Sequence, residues 1–114
     1  MKCAIAGAMT EKVLQSNIIA MAHALGWLVM HTRPSLNRRG QWATQLTGDP
    51  GFPDLVLAKD GSVLFWELKT EKGMPTARQT EWLNAISRHT PEAAVIRPSD
   101  WLSGTVERIL KEGK

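Results

Sequence analysis

Asp54, Glu67 and Lys69 have the residue types and spacing of a chemical site at the open end of a β-hairpin. Asp60-Gly61 separates two apolar runs, and this pair is a strong signal for a type I′ turn because both central residues need positive φ. Counting outward from the turn places Asp54 opposite Glu67. Lys69 lies two residues beyond Glu67 and therefore falls on the same face. The pattern predicts two carboxylates and one ammonium group close together.

Two opposed carboxylates are suited to binding a divalent cation. Directly opposed side chains have Cβ atoms roughly 4.5–5.5 Å apart, so two negative charges placed there repel each other. Hard oxygen ligands suit Mg²⁺ or Mn²⁺, and such an ion orients a water molecule for attack on a phosphodiester. Lys69 would either stabilise the charge of the transition state or help to position or deprotonate the attacking water.

A structural ion pair is the alternative explanation of these three residues. Lys69 would then pair with one carboxylate, while the other would be solvated. That arrangement leaves an uncompensated negative charge in an otherwise apolar hairpin, which is costly without a cation. Metal binding is therefore the favoured interpretation.

The other hairpin residues predict a sheet that is covered on both faces. One face carries Leu55, Leu57, Leu64, Trp66 and Leu68, and the carboxylate face carries Val56, Ala58, Val63 and Phe65. Sheets that are apolar on both sides are covered by helices on both sides. We therefore expect an α/β (α+β) fold in which helices flank a mixed central sheet.

Hydrophobic periodicity predicts the elements around the hairpin. In chain order they are a helix over 11–25 with Thr10 as N-cap, a short buried strand over 27–32, a helix over 77–89, a strand over 93–97, and a helix near 100–111 capped by Ser99. Glu11 in the first turn either complements the helix dipole or approaches the sheet. Gln79 either completes a capping box with Thr76 or reaches the carboxylate end of the hairpin. Spacing alone favours the structural role for both residues.

Composition narrows the class of protein. The 114 residues suit one domain over 10–114, preceded by a loose amino-terminal tail over 1–9. Cys3 is the only cysteine, which excludes an intramolecular disulfide and suits a cytoplasmic setting. No apolar run approaches the roughly 18 residues of a membrane span. The net charge of +3 mildly favours an anionic partner, although a solvated basic surface explains it equally well.

A polar stretch over residues 33–51 contains Arg33, Arg38, Arg39 and Trp42. Connections of this length are uncommon in compact domains and are often functional. Arginines beside an aromatic side chain suit phosphate contact and base stacking. A solvated loop with one packed tryptophan is an equally good explanation of the same residues.

Three blocks of sequence resemble a nuclease family. They are Gly51-Phe52-Pro53-Asp54-Leu55, Glu67-Leu68-Lys69-Thr70-Glu71-Lys72-Gly73 and Gln79-Thr80-Glu81-Trp82-Leu83. Pro-Asp followed by Glu-Leu-Lys is similar to the signature of the PD-(D/E)XK nuclease superfamily. The three blocks in this order resemble its VRR-NUC branch, especially the small stand-alone phage members. The resemblance extends over about residues 11–101.

The resemblance implies a fold, site residues and partners. The fold would be the restriction-endonuclease-like PD-(D/E)XK core in the order αβββαβα. The metal ligands for Mg²⁺ or Mn²⁺ would be Glu11, Asp54, Glu67 and the backbone carbonyl of Leu68, with Lys69 as the catalytic lysine and Gln79 in the active site. The partner would be DNA, and a homodimer similar to Holliday junction resolvases would present two sites to it. Candidates for phosphate contact are Arg33, Arg38, Arg39, Lys72 and Arg78.

Residues and resemblance together predict a metal-dependent DNA endonuclease that is selective for branched DNA such as four-way junctions or flaps. Neither a small-molecule substrate nor a membrane is expected. A sequence-specific nuclease of restriction type is one rival, and the lack of a recognition domain argues against it. A non-catalytic DNA-binding or replication accessory protein that retains the fold is the other.

Overall fold

The computed structural model describes residues 2–32, 35–36, 42–43, 48–87 and 92–113. The helices in this part of the chain are α1 (Lys2–Ala8), α2 (Glu11–Ala24), α3 (Ala77–Ile86), α4 (Pro98–Leu102) and α5 (Thr105–Glu112). The strands are β1 (Leu28–His31), β2 (Ser35–Leu36), β3 (Trp42–Ala43), β4 (Leu55–Lys59), β5 (Ser62–Leu68) and β6 (Ala93–Ile96).

Four of these strands form a mixed sheet in the spatial order β1, β4, β5, β6. The β1–β4 and β4–β5 pairs are antiparallel, whereas β5 and β6 are parallel. Strands β2 and β3 form a separate antiparallel pair of two residues each. A mixed central sheet with helices packed around it, as the sequence predicts, is confirmed.

The β4–β5 hairpin has the turn and the register that its sequence predicts. Asp60 and Gly61 have φ angles of 47° and 85°, as a type I′ turn requires. All the pairs in the β4–β5 ladder match the count outward from this turn. Continuing the same register one step beyond the ladder places Asp54 opposite Glu67.

The main hydrophobic core lies on one face of this sheet. The sheet contributes Leu55, Leu57, Leu64, Trp66 and Leu68, each at most 1% exposed. The helices that pack on them contribute Leu14, Ile18 and Ala22 from α2, and Val106, Ile109 and Leu110 from α5. Full burial of a leucine-sized side chain contributes about 1.5–3 kcal/mol. This face therefore stabilises the hairpin strongly.

The face that carries Glu67 is covered only in part. The Phe52 ring makes edge contacts with Phe65 of β5 and with Trp82 of α3, at centroid distances of 6.2 and 5.0 Å. These contacts place α3 over the carboxylate end of the face. Towards the turn, Val63 is 40% exposed. The expectation that both faces are covered is therefore wrong for the turn end of this one.

Strand β1 is less buried than the sequence pattern predicts. It is an edge strand, and its Leu28 and Met30 side chains are 76% and 65% exposed. Both project from the same partly covered face of the sheet, where the described helices do not reach them. The prediction of a buried strand over 27–32 is wrong for these residues. The same prediction holds for Trp27, which is buried, and its Nε1–H donates to the Leu110 carbonyl at 2.9 Å.

The amino-terminal segment is a helix and not the expected loose tail. Ala6 in α1 is 2% exposed, and Met9 just beyond the helix packs against the main core. Helix α1 also contacts α4. Small residues such as alanine have high helix propensity, but a seven-residue helix needs tertiary packing to persist. This long-range packing has no signature in the local pattern.

The helix predicted near 100–111 is divided into two. Helix α4 begins with Pro98 in its first turn and has Arg97, not Ser99, as its N-cap. Gly104 has a φ angle of 87° and lies between α4 and α5. A left-handed residue cannot continue a right-handed helix. The apolar periodicity runs through this break, which explains why one helix was expected.

The other two predicted helices are present. Thr10 caps α2, because its hydroxyl accepts from the Val13 N–H at 3.1 Å. Helix α3 ends at Ile86, and positions 88–89 of the predicted helix lie outside the described residues.

In the part of the chain that the structure describes, no helix is long and apolar enough to span a membrane.

Candidate active site

Asp54 is fixed by hydrogen bonds from the residues on both sides of β4. The Thr32 N–H donates to the Asp54 carbonyl at 2.9 Å, and the Thr32 hydroxyl donates to the Pro53 carbonyl at 2.8 Å. On the other side, the Leu68 N–H donates to Asp54 Oδ2 at 2.9 Å. The last bond joins the Pro-Asp segment directly to the Glu-Leu-Lys segment.

The direction of the Leu68 carbonyl follows from the direction of the Leu68 N–H group, which donates to Asp54 Oδ2. In an antiparallel pair, the N–H and C=O groups of one residue point towards the same neighbouring strand. Because the Leu68 N–H points towards Asp54, the Leu68 carbonyl does so too. A backbone oxygen therefore lies on the Asp54 side of β5.

Glu67 is a buried carboxylate, with a side chain that is 2% exposed. Its Oε2 accepts a hydrogen bond from Gln79 Nε2 at 2.9 Å. Lys69 Nζ lies 3.7 Å from the same oxygen, and the Lys69 side chain is 15% exposed. This loose ion pair is the contact that the structural alternative predicts.

Gln79 performs both of the roles that its sequence position allows. Its backbone N–H donates to Thr76 Oγ1 at 3.1 Å, and its Oε1 accepts from the Thr76 N–H at 2.9 Å. These two bonds form the expected capping box of α3. The amide nitrogen remains to donate to Glu67, so the start of α3 is tied to the buried carboxylate.

The segment that leads into Asp54 lies close against α3. A Cβ atom on Gly51 would fall 2.6 Å from the carbonyl carbon of Arg78, and the Gly51 φ angle is 97°. The indole N–H of Trp82 donates to the Pro50 carbonyl at 3.0 Å. Glycine is required at this point because both the close approach and the left-handed backbone exclude a side chain. Helix α3 therefore positions both carboxylate segments.

Glu11 is not brought into a metal-binding group with Asp54 and Glu67. Among the described residues, no three His, Cys, Asp or Glu side chains form a group that could hold a metal ion. Glu11 stands at the start of α2, where a carboxylate complements the helix dipole. One turn further on, Gln15 Oε1 is buried and has no hydrogen-bond partner in the described part of the chain.

The oxygen atoms at the hairpin end nevertheless form a donor set that fits Mg²⁺ or Mn²⁺. Asp54 and Glu67 supply carboxylates, and Leu68 supplies a carbonyl oxygen. Mg²⁺ is commonly bound by one or two carboxylates, and its remaining positions are filled by water and substrate phosphate. Two carboxylates and one lysine also leave a net negative charge, which a cation would compensate.

The candidates for phosphate contact differ in how they are placed. Arg33, Arg38 and Arg39 lie outside the described residues. Lys72 is exposed in the turn that follows Lys69. Arg78 is 61% exposed, but its guanidinium is 3.2 Å from the Glu81 carboxylate, which partly neutralises the positive charge of the arginine. An open groove beside Arg78 is lined by Asp49, Glu81, Trp82 and Ala85, and its two carboxylates weaken its attraction for phosphate.

Two polar residues that hold the site in place had no recognised signal in the sequence. Thr32 fixes Pro53 and Asp54 from the neighbouring strand, and Arg97 bonds to the turn that follows Lys69. Pairing the first strand with the Pro-Asp strand would have found Thr32, because the register ends at His31 and Leu55, and one further step places Thr32 opposite Asp54. Arg97 donates to backbone carbonyls, whose position no side-chain pattern reveals.

The open end of the hairpin thus combines two anchored carboxylates, a backbone carbonyl, a lysine and an amide side chain. These groups come from the end of β5, the residue after it, the start of α3 and the segment before β4. Carboxylate and carbonyl oxygens are the ligand types that hard cations prefer, and Lys69 adds a positive charge beside them. A scan against family models, a search of curated proteins and a search of solved structures each found no match to this chain.

Proposed function

We propose that this protein is a metal-dependent DNA endonuclease of the PD-(D/E)XK type, which hydrolyses phosphodiester bonds with a preference for branched DNA. The observation that carries the proposal is the bond from the Leu68 N–H to Asp54 Oδ2. It brings the two halves of the Pro-Asp and Glu-Leu-Lys motif together at one end of the two central strands, β4 and β5. The proposal also draws on the sequence resemblance to the VRR-NUC branch.

Asp54, Glu67 and the Leu68 carbonyl are the residues that would hold Mg²⁺ or Mn²⁺. When bound, such an ion supplies Lewis-acid stabilisation of phosphate charge and a more acidic water molecule. Glu11 belongs to the proposal only through the resemblance. The bond from the Leu68 N–H orients the Asp54 carboxylate, and the bond from Gln79 orients the Glu67 carboxylate, whether or not an ion is present.

Lys69 supplies the positive charge of the proposed reaction. Its side chain is mostly buried, yet its ammonium group is 3.7 Å from Glu67, longer than a close hydrogen bond. The ammonium group can therefore turn towards a phosphate without breaking a tight contact. It would stabilise negative charge on the phosphodiester oxygens, or position the attacking water.

Recognition of DNA would rest on backbone charge and shape. The net charge of +3 is modest, so binding should weaken as salt concentration rises. Lys72 is an exposed candidate close to the site in sequence. The homodimer implied by the resemblance would place two such sites on one branched molecule, and sedimentation velocity would measure the oligomeric state.

Cleavage of labelled four-way junction, flap and linear duplex DNA in Mg²⁺ and in Mn²⁺ tests this proposal. Wild type should cut branched DNA, and Asp54→Asn and Lys69→Ala should each lower the rate by about 100-fold or more. Asp60→Asn is the matched control because it removes an exposed carboxylate from the turn end of the same hairpin. Equal cutting by Asp54→Asn and Asp60→Asn would contradict the proposed site.

A non-catalytic DNA-binding protein is the second candidate. The ion pair between Lys69 and Glu67 favours it, because a paired lysine has a structural role. It is also favoured because, among the described residues, Asp54 and Glu67 are not joined by a third side chain that could complete a metal-binding group. A mobility-shift assay beside the cleavage assay separates the two functions. Binding of branched DNA that is never cut in either metal would favour the accessory role.

A further inference from the structure

Arg97 bonds to the turn that follows Lys69. It stands between β6 and α4, and one guanidinium nitrogen, Nη1, donates to three backbone carbonyls. The acceptors are Thr70 at 2.8 Å, Glu71 at 3.2 Å and Gly73 at 2.5 Å. Three carbonyls that converge on one cation define the shape of the turn, because they fix the direction of three peptide groups.

Neighbouring residues reinforce the same junction. The Lys69 N–H donates to the Ile96 carbonyl at 3.1 Å, so the backbone of Lys69 is paired with the end of β6. The Ser99 N–H donates to Glu71 Oε2 at 3.0 Å. Residues 69–71 are thus joined to residues 96–99 by hydrogen bonds from both backbone and side-chain groups.

The turn is also closed within itself. The Gly73 N–H donates to the Thr70 carbonyl at 3.2 Å and to Thr70 Oγ1 at 3.1 Å. A Cβ atom on Gly73 would fall 2.9 Å from Thr70 Oγ1. Charge-assisted hydrogen bonds are roughly twice as strong as neutral ones. Arg97 therefore makes the strongest of the bonds that keep this turn in one conformation.

The position of the turn bears directly on Lys69. The first carbonyl bonded by Arg97 belongs to Thr70, one residue after the lysine. Lys72, in the same turn, is exposed. A displacement of about 1 Å in a reacting group can cost about 100-fold in rate. A loosened turn would release the backbone on the carboxyl side of Lys69, although β5 would still hold its amino side.

We propose that Arg97 is a positioning residue, which acts through the 70–73 turn to hold Lys69 in its reactive placement. This inference rests on the proposed nuclease function for its effect on the cleavage rate. The three bonds from Arg97 to the turn do not depend on that function. A purely structural arginine would contribute to stability throughout the fold. A positioning arginine affects the turn and the catalytic rate while the sheet stays intact.

Arg97→Met and Arg97→Lys test the proposal, with Arg108→Met as the matched control. Arg108 is 60% exposed and lies 3.5 Å from Glu112 on α5. Arg108→Met therefore makes the same arginine-to-methionine change at a position away from the 70–73 turn. Two readouts are needed: cleavage kinetics on the best branched substrate, and amide hydrogen exchange of peptides that cover 69–75 and 55–66. Arg97→Lys provides a folded variant if Arg97→Met does not fold.

Arg97→Met should lower kcat by about 10- to 100-fold, while KM for DNA changes less than kcat. Exchange should accelerate in 69–75 and stay at the wild-type rate in 55–66, and Arg97→Lys should fall between Arg97→Met and wild type. Unchanged exchange in 69–75, or equal acceleration in both peptides, would overturn the positioning role. If wild type cuts no DNA, the nuclease proposal fails. Hydrogen exchange in 69–75 then decides by itself whether Arg97 holds the turn.

Discussion

The two faces of the β4–β5 hairpin are built from the same two strands and have different tasks. On one face, Leu57 and Trp66 are fully buried against α2 and α5. On the other, Glu67 is equally buried, but its partners are Gln79 and Lys69 instead of apolar side chains. One face therefore stabilises the fold, and the other holds charged groups that are costly to bury.

The two faces contribute unequally to the stability of the hairpin. A buried carboxylate with a distant lysine stabilises a fold weakly, because desolvation offsets much of the attraction. The core face, by contrast, gains from every apolar side chain that it buries. We interpret the core face as the support that allows the opposite face to keep an unfavourable cluster of charge. Three pairs of variants test this division.

Leu57→Ala should produce the largest loss of stability. Removal of a fully buried leucine side chain costs about 2–5 kcal/mol, and Leu57 is 0% exposed. Val63→Ala is the comparison on the other face, where the side chain is 40% exposed, and it should cost much less. Urea unfolding followed by circular dichroism measures both. Similar losses for the two variants would show that the faces do not differ as described.

Gly51→Ala should have the next largest effect, and it also disturbs the site. The added Cβ would overlap the backbone of Arg78, and such overpacking costs about 1–3 kcal/mol. Gly48→Ala is the control, because Gly48 also has a positive φ of 118° but open space around it. Both variants carry the backbone strain, so the excess loss in Gly51→Ala reports the contact with α3.

The same pair of glycine variants should differ in activity. Gly51 lies three residues before Asp54, so Gly51→Ala should slow cleavage more than Gly48→Ala. Equal unfolding midpoints and equal cleavage rates would show that the approach of this segment to α3 does not position the carboxylate.

Gln79→Ala and Thr76→Ala should have the smallest effects on stability and separate the two roles of the glutamine. Loss of a helix cap costs about 0.5–2 kcal/mol, and both variants break the capping box. Only Gln79→Ala removes the donor to Glu67, so it alone should lower cleavage, by about tenfold or more. Equal cleavage by the two variants would mean that Gln79 acts only as a cap.

The sequence predicted the hairpin and its register because both are specified locally. Asp60-Gly61 determines the turn, and the side-chain period of two then determines which residues share a face. The capping box of Gln79 was predicted for the same reason. Its second bond, to Glu67, spans 12 residues and needed the packing of α3 on the sheet. Local spacing thus identified the residue and favoured its cap, whereas the bond to Glu67 depends on tertiary packing.

Features that depend on tertiary packing could not be predicted. The burial of Ala6 converts the expected tail into a helix, and the exposure of Leu28 follows from the edge position of β1. Arg97 was assigned to the end of a strand, whereas its guanidinium reaches carbonyls 24–27 residues away. Backbone acceptors are present at every residue, so no residue type marks them in a sequence.

Manganese binding in the absence of DNA shows whether the open end of the hairpin is a metal site. Titration of Mn²⁺ followed by electron paramagnetic resonance would compare wild type, Asp54→Asn and the matched control Asp60→Asn. We expect wild type and Asp60→Asn to bind Mn²⁺ with the same affinity, and Asp54→Asn to bind at least about tenfold more weakly. Equal binding by all three proteins would contradict the assignment of a metal site to the open end of the hairpin.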